Sequence, residues 1–498
     1  MRNLRLYMKA LEENGHLSAV GGEIDWALEA AAVTATAYRN AGPALHFQKI
    51  KDYPKGYTLA GGLFTGPGNL YLERRKYWQR VCIAMGLDPL TGYSKFLATC
   101  LERMMHPILP VEVNTGPVKE QIKKGDAVDI RSFPIPKLHQ GDGGRFGTLQ
   151  TLIVKDVDTD RVVWSNVRTM VVNRNILAAP IDENSAIGEI YSKYKALGRP
   201  MPFCIAIGGP PLVTITSFLP LAKGTSPAAI AGGFNLDPIE LVKAETNDLF
   251  VPSQAEIIIE GQVSPNETYE EGPYPDYWYY RAKQFSPVFL IKAITHRKDP
   301  IIPFSVDGVK PSDTHNLLSL MLSYEIYRRC WVIRNYPINW VQMPLEFNLN
   351  LVIVCGPILF SGYVMWLSRY ILSQSRQLGS LYNKVIVVDE KTPEISLEDA
   401  INDVILRTHC NRGYHFVDDI PIGPNVRYAS LEQLEKGVAS GIYLDTSWPK
   451  EWTKDDIPRK VSMEGSFPKE LLDKVVANYN RLGFRGTPVI FPESIIPF

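Results

Sequence analysis

The densest chemistry in the chain is the acidic stretch EEGPYPD, which supplies Glu270, Glu271 and Asp276 directly after the strand-like run AEIIIEGQV. Pro273 and Pro275 stiffen the loop, so its carboxylates are held rather than waving. Crowded carboxylates raise one another's proton affinity, as a general acid working near neutral pH requires. Taken alone, these residues fit a solvated acidic turn better than a catalytic one. A second candidate is Arg168, one cation inside the β-rich run RVVWSNVRTMVV. Either it faces outward, in the register opposite to Val167, or its guanidinium binds a carboxylate through two parallel bonds.

Other chemistries are excluded. None of the eight histidines forms HExxH or another close ligand pair, and neither GxSxG nor a phosphate-binding Walker loop occurs. GDGGRFGT, residues 141–148, lacks the spacing that presents amides to a pyrophosphate and reads as a turn. The six cysteines (Cys82, Cys100, Cys204, Cys330, Cys355, Cys410) include no CxxC pair, so they are read as thiols in a reducing, cytoplasmic compartment. Lys plus Arg and Asp plus Glu both total 53, and this zero net charge argues against nucleic acid as a partner. With 45% hydrophobic and 21% charged residues, the chain has the composition of a folded globular protein.

The elements that must position these residues fall into zones. Residues 1–110 form an N-terminal α/β region: MRNLRLYMKALEENG, EAAAVTATAYRN and ERRKYWQRVCIAMGL have helical spacing, with short strand-like pieces between them. A proline-punctuated connector follows, from HPILPVEV to FPIPKLHQGDGG, and reads as a linker laid on a surface. Within residues 111–305, strand signals dominate: TLQTLIVKDV, RVVWSNVRTMVV, FCIAIGG, PLVTITSF, AEIIIEGQV and SPVFLIKAITH. Helical pieces interrupt them at SAIGEIYSKYKALG and DPIELVKA, so a barrel-like sheet with inserted helices is expected. Residues 306–450 alternate strand and helix as a separate α/β layer, and 451–498 form a tail. The uncharged stretch from Leu351 to Ser368 is broken by Gly356 and Pro357, which predicts a buried strand, a turn and a half-buried helix rather than a membrane span. It is also too apolar to stay exposed, which predicts an oligomer through this layer, with intramolecular packing as the alternative cover.

The order FPIPKLHQGDGG, WSNVR, AETNDLFVPSQAEIIIEG, EEGPYPD, SDTH, NKVIVVDE resembles the UbiD-like decarboxylases over essentially the whole chain. The resemblance implies a mixed α/β protein with a split β-barrel-like flavin-binding domain, an N-terminal α/β region and a C-terminal α/β dimerisation domain. It implies reversible decarboxylation of an aromatic, heteroaromatic or α,β-unsaturated acid through prenylated FMN supplied by a flavin prenyltransferase. The family's arginine and two acids fall on Arg168, Glu271 and Asp276, with Asp276 the proton donor. Thr148, Ser165, Ser217 and Leu219 match positions that line the flavin. Tyr274, Tyr277, Trp278, Tyr279 and Tyr280 are read as aromatic walls for a flat substrate, or else as packing or a subunit contact.

The chain departs from the family at the flavin phosphate. The asparagine, histidine and glutamate that hold a divalent metal there are replaced by Val163, Ala186 and Pro227, and a nearby lysine by Gly441. The expectation is that no divalent metal binds and that a protein cation, Lys223 first, meets the phosphate. A non-catalytic subunit beside other UbiD-like chains of an aryl carboxylase is the alternative reading, and a flavin-free scaffold a third.

Overall fold

The run from Ile257 to Glu271 opens with three β-branched isoleucines and forms one long strand, buried at its start and solvated through most of its second half. It pairs antiparallel with Gln284–His296, and this long hairpin is the spine of a curled, nine-stranded sheet. In a computed structural model, the described residues are all of 1–498 except 66–76, 277–278, 361, 380, 389, 391, 393, 395–396, 424–425, 427, 450, 454, 459–465 and 485–498; at 276, 398 and 399 only the backbone is described.

Residues Met1–Thr446 form one unit and Ser447–Phe498 another. In the first, the curled sheet runs in the order Arg145–Gly147, Thr169–Val171, Ile176–Ala178, Gln284–His296, Ile257–Glu271, Met201–Ile207, Gln150–Lys155, Val162–Asn166, and Gln121–Lys124 adds to the end of Gln284–His296. A four-stranded sheet joins Leu17–Ile24, Ala44–Ile50 and Thr58–Gly61 to the distant Ile301–Phe304. A five-stranded sheet follows, with Leu351–Cys355, Lys384–Val388 and Val438–Asp445 parallel at its centre. The helix Asp313–Arg328 packs its leucines into one core with that sheet. Leu351–Cys355 is wholly buried and the helix Tyr363–Ser373 half-buried, as the sequence predicts. Among the described residues no helix is long and apolar enough to cross a membrane.

Three expectations are corrected. PLVTITSF is a helix, Pro211–Thr216, rather than a strand: Pro211 sits in its first turn, and every residue is buried beside the helix Pro227–Asn235, so packing overrides the β preference of Val, Ile and Thr. DPIELVKA supplies a strand, Glu240–Lys243, recruited between Phe250–Pro252 and Val111–Val113. So short an apolar run does not distinguish the two periods. The proline-rich connector is no surface linker. It contributes strands at Val111–Val113 and Gln121–Lys124, and Phe133, Ile135 and Leu138 are core residues.

One cation ties the central part of the chain to the five-stranded layer. Lys310 Nζ donates to the carbonyls of Leu345 and Glu346 at 2.8 and 2.9 Å, and burial lowers its pKa from 10.5 to about 7. Between these values the unfolded chain holds a proton that the folded chain has released, so this group makes stability rise as pH climbs. Urea unfolding from pH ~7 to ~9.5 should show wild type gaining stability relative to Lys310→Met; parallel pH dependences would contradict this.

Candidate functional site

Residues 145–155 and 162–171 form an antiparallel ribbon whose two halves belong to opposite ends of the curled sheet. One half, Arg145–Gly147 with Thr169–Val171, attaches to Ile176–Ala178. The other, Gln150–Lys155 with Val162–Asn166, attaches to Met201–Ile207. The links between the halves, Thr148–Leu149 and Val167–Arg168, therefore cross the seam where the sheet curls toward closure. Gln150 Nε2 bonds Val167 O at 3.0 Å and Thr169 Oγ1 at 2.9 Å, while Asn166 Nδ2 bonds the carbonyls of Thr148 and Gln150 at 3.0 and 2.9 Å. The strand interruption frees Arg168 from both outward and inward register, a placement periodicity alone does not show.

At this seam Arg168 meets Glu271, the last residue of the long strand. Nε lies 3.0 Å from Oε1 and Nη2 3.5 Å from Oε2. The carboxylate side chain is only 1% exposed and the guanidinium 12%. Gln284 Nε2 adds a bond to Glu271 Oε2 at 3.3 Å. The guanidinium carbon stands 4.7 Å from the ring centroid of Tyr274. Glu271 is thus a held, desolvated carboxylate, unlike the neighbouring Glu270, which is exposed and paired with Lys283. Asp276 lies on the short strand Tyr274–Asp276, paired with Tyr279–Arg281; its side chain is outside the described residues.

The glycine-rich turn acts as a clasp on this acidic loop. Asp142 Oδ2 accepts from the His139 amide at 2.8 Å, and the Gly143 amide donates to Pro273 O at 3.0 Å. A Cβ at Gly143 would lie 1.9 Å from Gly272 O, and Gly272 itself has φ +95°. The close approach explains one glycine and the left-handed backbone the other.

The predicted flavin-lining residues are brought together in part. Thr148 is buried, with Oγ1 bonded to the Ser305 amide at 2.9 Å and near its carbonyl at 3.1 Å. Ser165 is half-buried on its strand, and the Asn166 amide donates to Ser217 O at 3.0 Å, which joins these segments to Ser217 and the buried Leu219. Thr216 Oγ1, buried on the same stretch, has no hydrogen-bond partner among the described residues, a hydroxyl that a polar ligand would satisfy. These residues fit a flavin. Lys223 does not join them: 71% exposed, it pairs with Glu189 at 2.6 Å. Of the aromatic residues, Tyr274 is buried rather than a free wall, Tyr279 and Tyr280 are exposed, and Tyr277 and Trp278 lie outside the described residues.

The residues at the metal positions do not fit a hard cation. Val163, Ala186 and Pro227 offer no side-chain oxygen or nitrogen. Ala186 and Pro227 open helices capped by Ser185 and Ser226. A Cβ at Gly441 would lie 2.8 Å from Asn383 O, so this backbone leaves no room for a lysine. The same three segments carry an ion-pair triad instead: Arg161 Nη1 and Lys223 Nζ grip Glu189 at 2.9 and 2.6 Å and hold its carboxyl below the usual range, Lys223 foremost. Arg161, Glu189 and Asn166 went unnoticed in the sequence, because spacing does not reveal partners from separate segments.

Sequence models of the 3-octaprenyl-4-hydroxybenzoate carboxy-lyase match this chain, the N-terminal domain over residues 8–100 and the Rift-related domain over 110–310. The chain belongs to the UbiD family of carboxy-lyases. Pyrrole-2-carboxylic acid decarboxylase of Pseudomonas aeruginosa is 27% identical across 97% of this chain and 98% of its own. Ferulic acid decarboxylase 1 of Saccharomyces cerevisiae is 26% identical over the same shares. The UbiD-class enzyme HmfF of Pelotomaculum thermopropionicum, solved with FMN, superposes with a TM-score of 0.82 at 25% identity, covering 96% of this chain and 100% of that one. An evolved dimeric form of HmfF was solved with prenylated FMN. In a UbiD enzyme the clasp has a measurable consequence. Gly143→Ala should fold at a cost of roughly 1–3 kcal/mol but lose about 100-fold in kcat/KM for decarboxylation, because the acidic loop is displaced. Unaltered turnover would show that the clasp does not position the loop.

Proposed function

We propose that this protein is a reversible decarboxylase of an aromatic, heteroaromatic or α,β-unsaturated carboxylic acid that works with prenylated FMN. The observation that carries the reading is the buried Arg168–Glu271 pair at the sheet seam, on the strand that leads into the loop bearing Asp276. Loss of CO2 leaves an electron pair on carbon that no amino-acid side chain absorbs well; prenylated FMN, when bound, supplies that electron sink. Thr148, Ser165, Arg168, Ser217 and Leu219 would hold it, and a flavin prenyltransferase would supply it. Arg168, held by Glu271, is proposed to orient the substrate carboxylate. Asp276 returns the proton to carbon.

The phosphate end of the flavin is proposed to bind without a divalent metal, because the side chains at the metal positions carry no donor atom. Lys223 and Arg161, bridged by Glu189, are the cations nearest to these positions along the chain. The dimeric form of a relative and the exposed Leu359, Phe360 and Trp366 support an oligomer built through residues 306–450.

Asp276→Asn, co-expressed with a flavin prenyltransferase, should keep its flavin but lose about 10²–10⁴-fold in turnover, together with solvent-deuterium exchange into the substrate. Glu271→Gln should be comparably impaired, since Arg168 loses its charged partner. Wild-type exchange in the Asp276 variant would remove its role as proton donor. Elemental analysis of the flavin-loaded protein should find no stoichiometric manganese or magnesium, and chelators should leave activity unchanged. About one divalent ion per chain would restore the metal-bound phosphate. Absence of flavin after co-expression would favour the non-catalytic subunit.

A further inference from the structure

Behind Arg168, a buried polar chain connects the acidic loop to residues 305–315, which the proposed chemistry does not use. Tyr274 is 2% exposed, and its hydroxyl donates to Asp307 Oδ2 at 2.7 Å. Burial first, and then the Asp307 charge, push the phenol well above its ordinary pKa, so it remains a donor. Asp307 Oδ1 accepts from Ser305 Oγ at 2.7 Å, with Ser312 Oγ at 3.5 Å. Ser312 in turn caps the helix Asp313–Arg328 and meets His315 Nδ1 at 2.8 Å, which gives the SDTH motif a place in the network. Ser305 is fixed by Thr148, back on the seam ribbon. A circuit therefore runs from Thr148 through Ser305, Asp307 and Tyr274 to Arg168, which lies in the opposite link of that ribbon.

We infer that Tyr274 and Asp307 are positioning residues for Arg168: Asp307 fixes the Tyr274 ring, and the ring face fixes the plane of the guanidinium. Glu271 bonds the edge of Arg168, at 3.0 and 3.5 Å, while the tyrosine ring lies against its guanidinium and opposes tilt toward that side. Phe146, with ring centroids 4.5 Å apart, stops the tyrosine from sliding. A phenol that donates to a carboxylate has a more electron-rich ring, which strengthens its hold on a cation above it. The same segment abuts the strand carrying Asp276, since a Cβ at Gly308 would come within 2.8 Å of Pro275.

The role as stated rests on the proposed decarboxylation; the geometric coupling does not, and the test separates the two. With flavin-loaded enzyme, Tyr274→Phe and Asp307→Asn should each lower kcat about tenfold, and Tyr274→Leu about 100-fold, with KM changed less than about twofold. Independently of turnover, thermal unfolding of Arg168→Met, Tyr274→Leu and the double variant should be non-additive, the double losing less in Tm than the sum of the singles. If Tyr274→Leu fails to fold, the cycle is run with Tyr274→Phe. Additive Tm losses, or wild-type kcat in folded Tyr274→Phe and Asp307→Asn, would overturn the inference. A non-additive cycle in a protein that decarboxylates no acid would uphold the coupling and sink the proposed function instead.

Discussion

The buried pair between Arg168 and Glu271 is the constraint on which the rest of the site depends. The residues are 103 positions apart, and each charge is stripped of most of its water. Removing one partner of such a pair leaves the other uncompensated, at a typical cost of ~3–5 kcal/mol. The fold therefore has to deliver both to one point. The long strand Ile257–Glu271 does so for the acid, and the ribbon that crosses the seam does so for the base. A curled sheet closed only by a ribbon leaves a crossing where side chains escape the alternation of strands, and Thr148 and Arg168 occupy that crossing.

Around the pair, the acidic loop is also held by close approaches of neighbouring glycines. The amide of Gly143 grips the acidic loop from one side, while the loop of Asp307 and Gly308 packs on it from the other. A Cβ would lie 1.9 Å from Gly272 O at Gly143 and 2.8 Å from Pro275 at Gly308, so both close approaches depend on glycine.

A different arrangement joins the segments where the resemblance places the flavin phosphate. Arg161, Glu189 and Lys223 connect the three segments that carry Val163, Ala186 and Pro227, by means of partly exposed ion pairs. Exposed pairs contribute little to stability, typically under ~1 kcal/mol. The triad therefore sets the local charge more than it fastens the segments.

The sequence by itself determined the family, the mixed α/β class, and the strand and half-buried helix of the uncharged stretch, because motif order and local periodicity are written along the chain. It misjudged Pro211–Thr216, Glu240–Lys243 and the proline-rich connector. There, the partners that decide between helix, strand and surface are distant in sequence, and short apolar runs have no period of their own. Only the tertiary structure decided that Lys223 is paired with Glu189, that Tyr274 is a buried platform, and that Asp307 lies behind it. Each of these depends on which residues meet across the seam, and burial and pairing are properties of that meeting rather than of any residue's type.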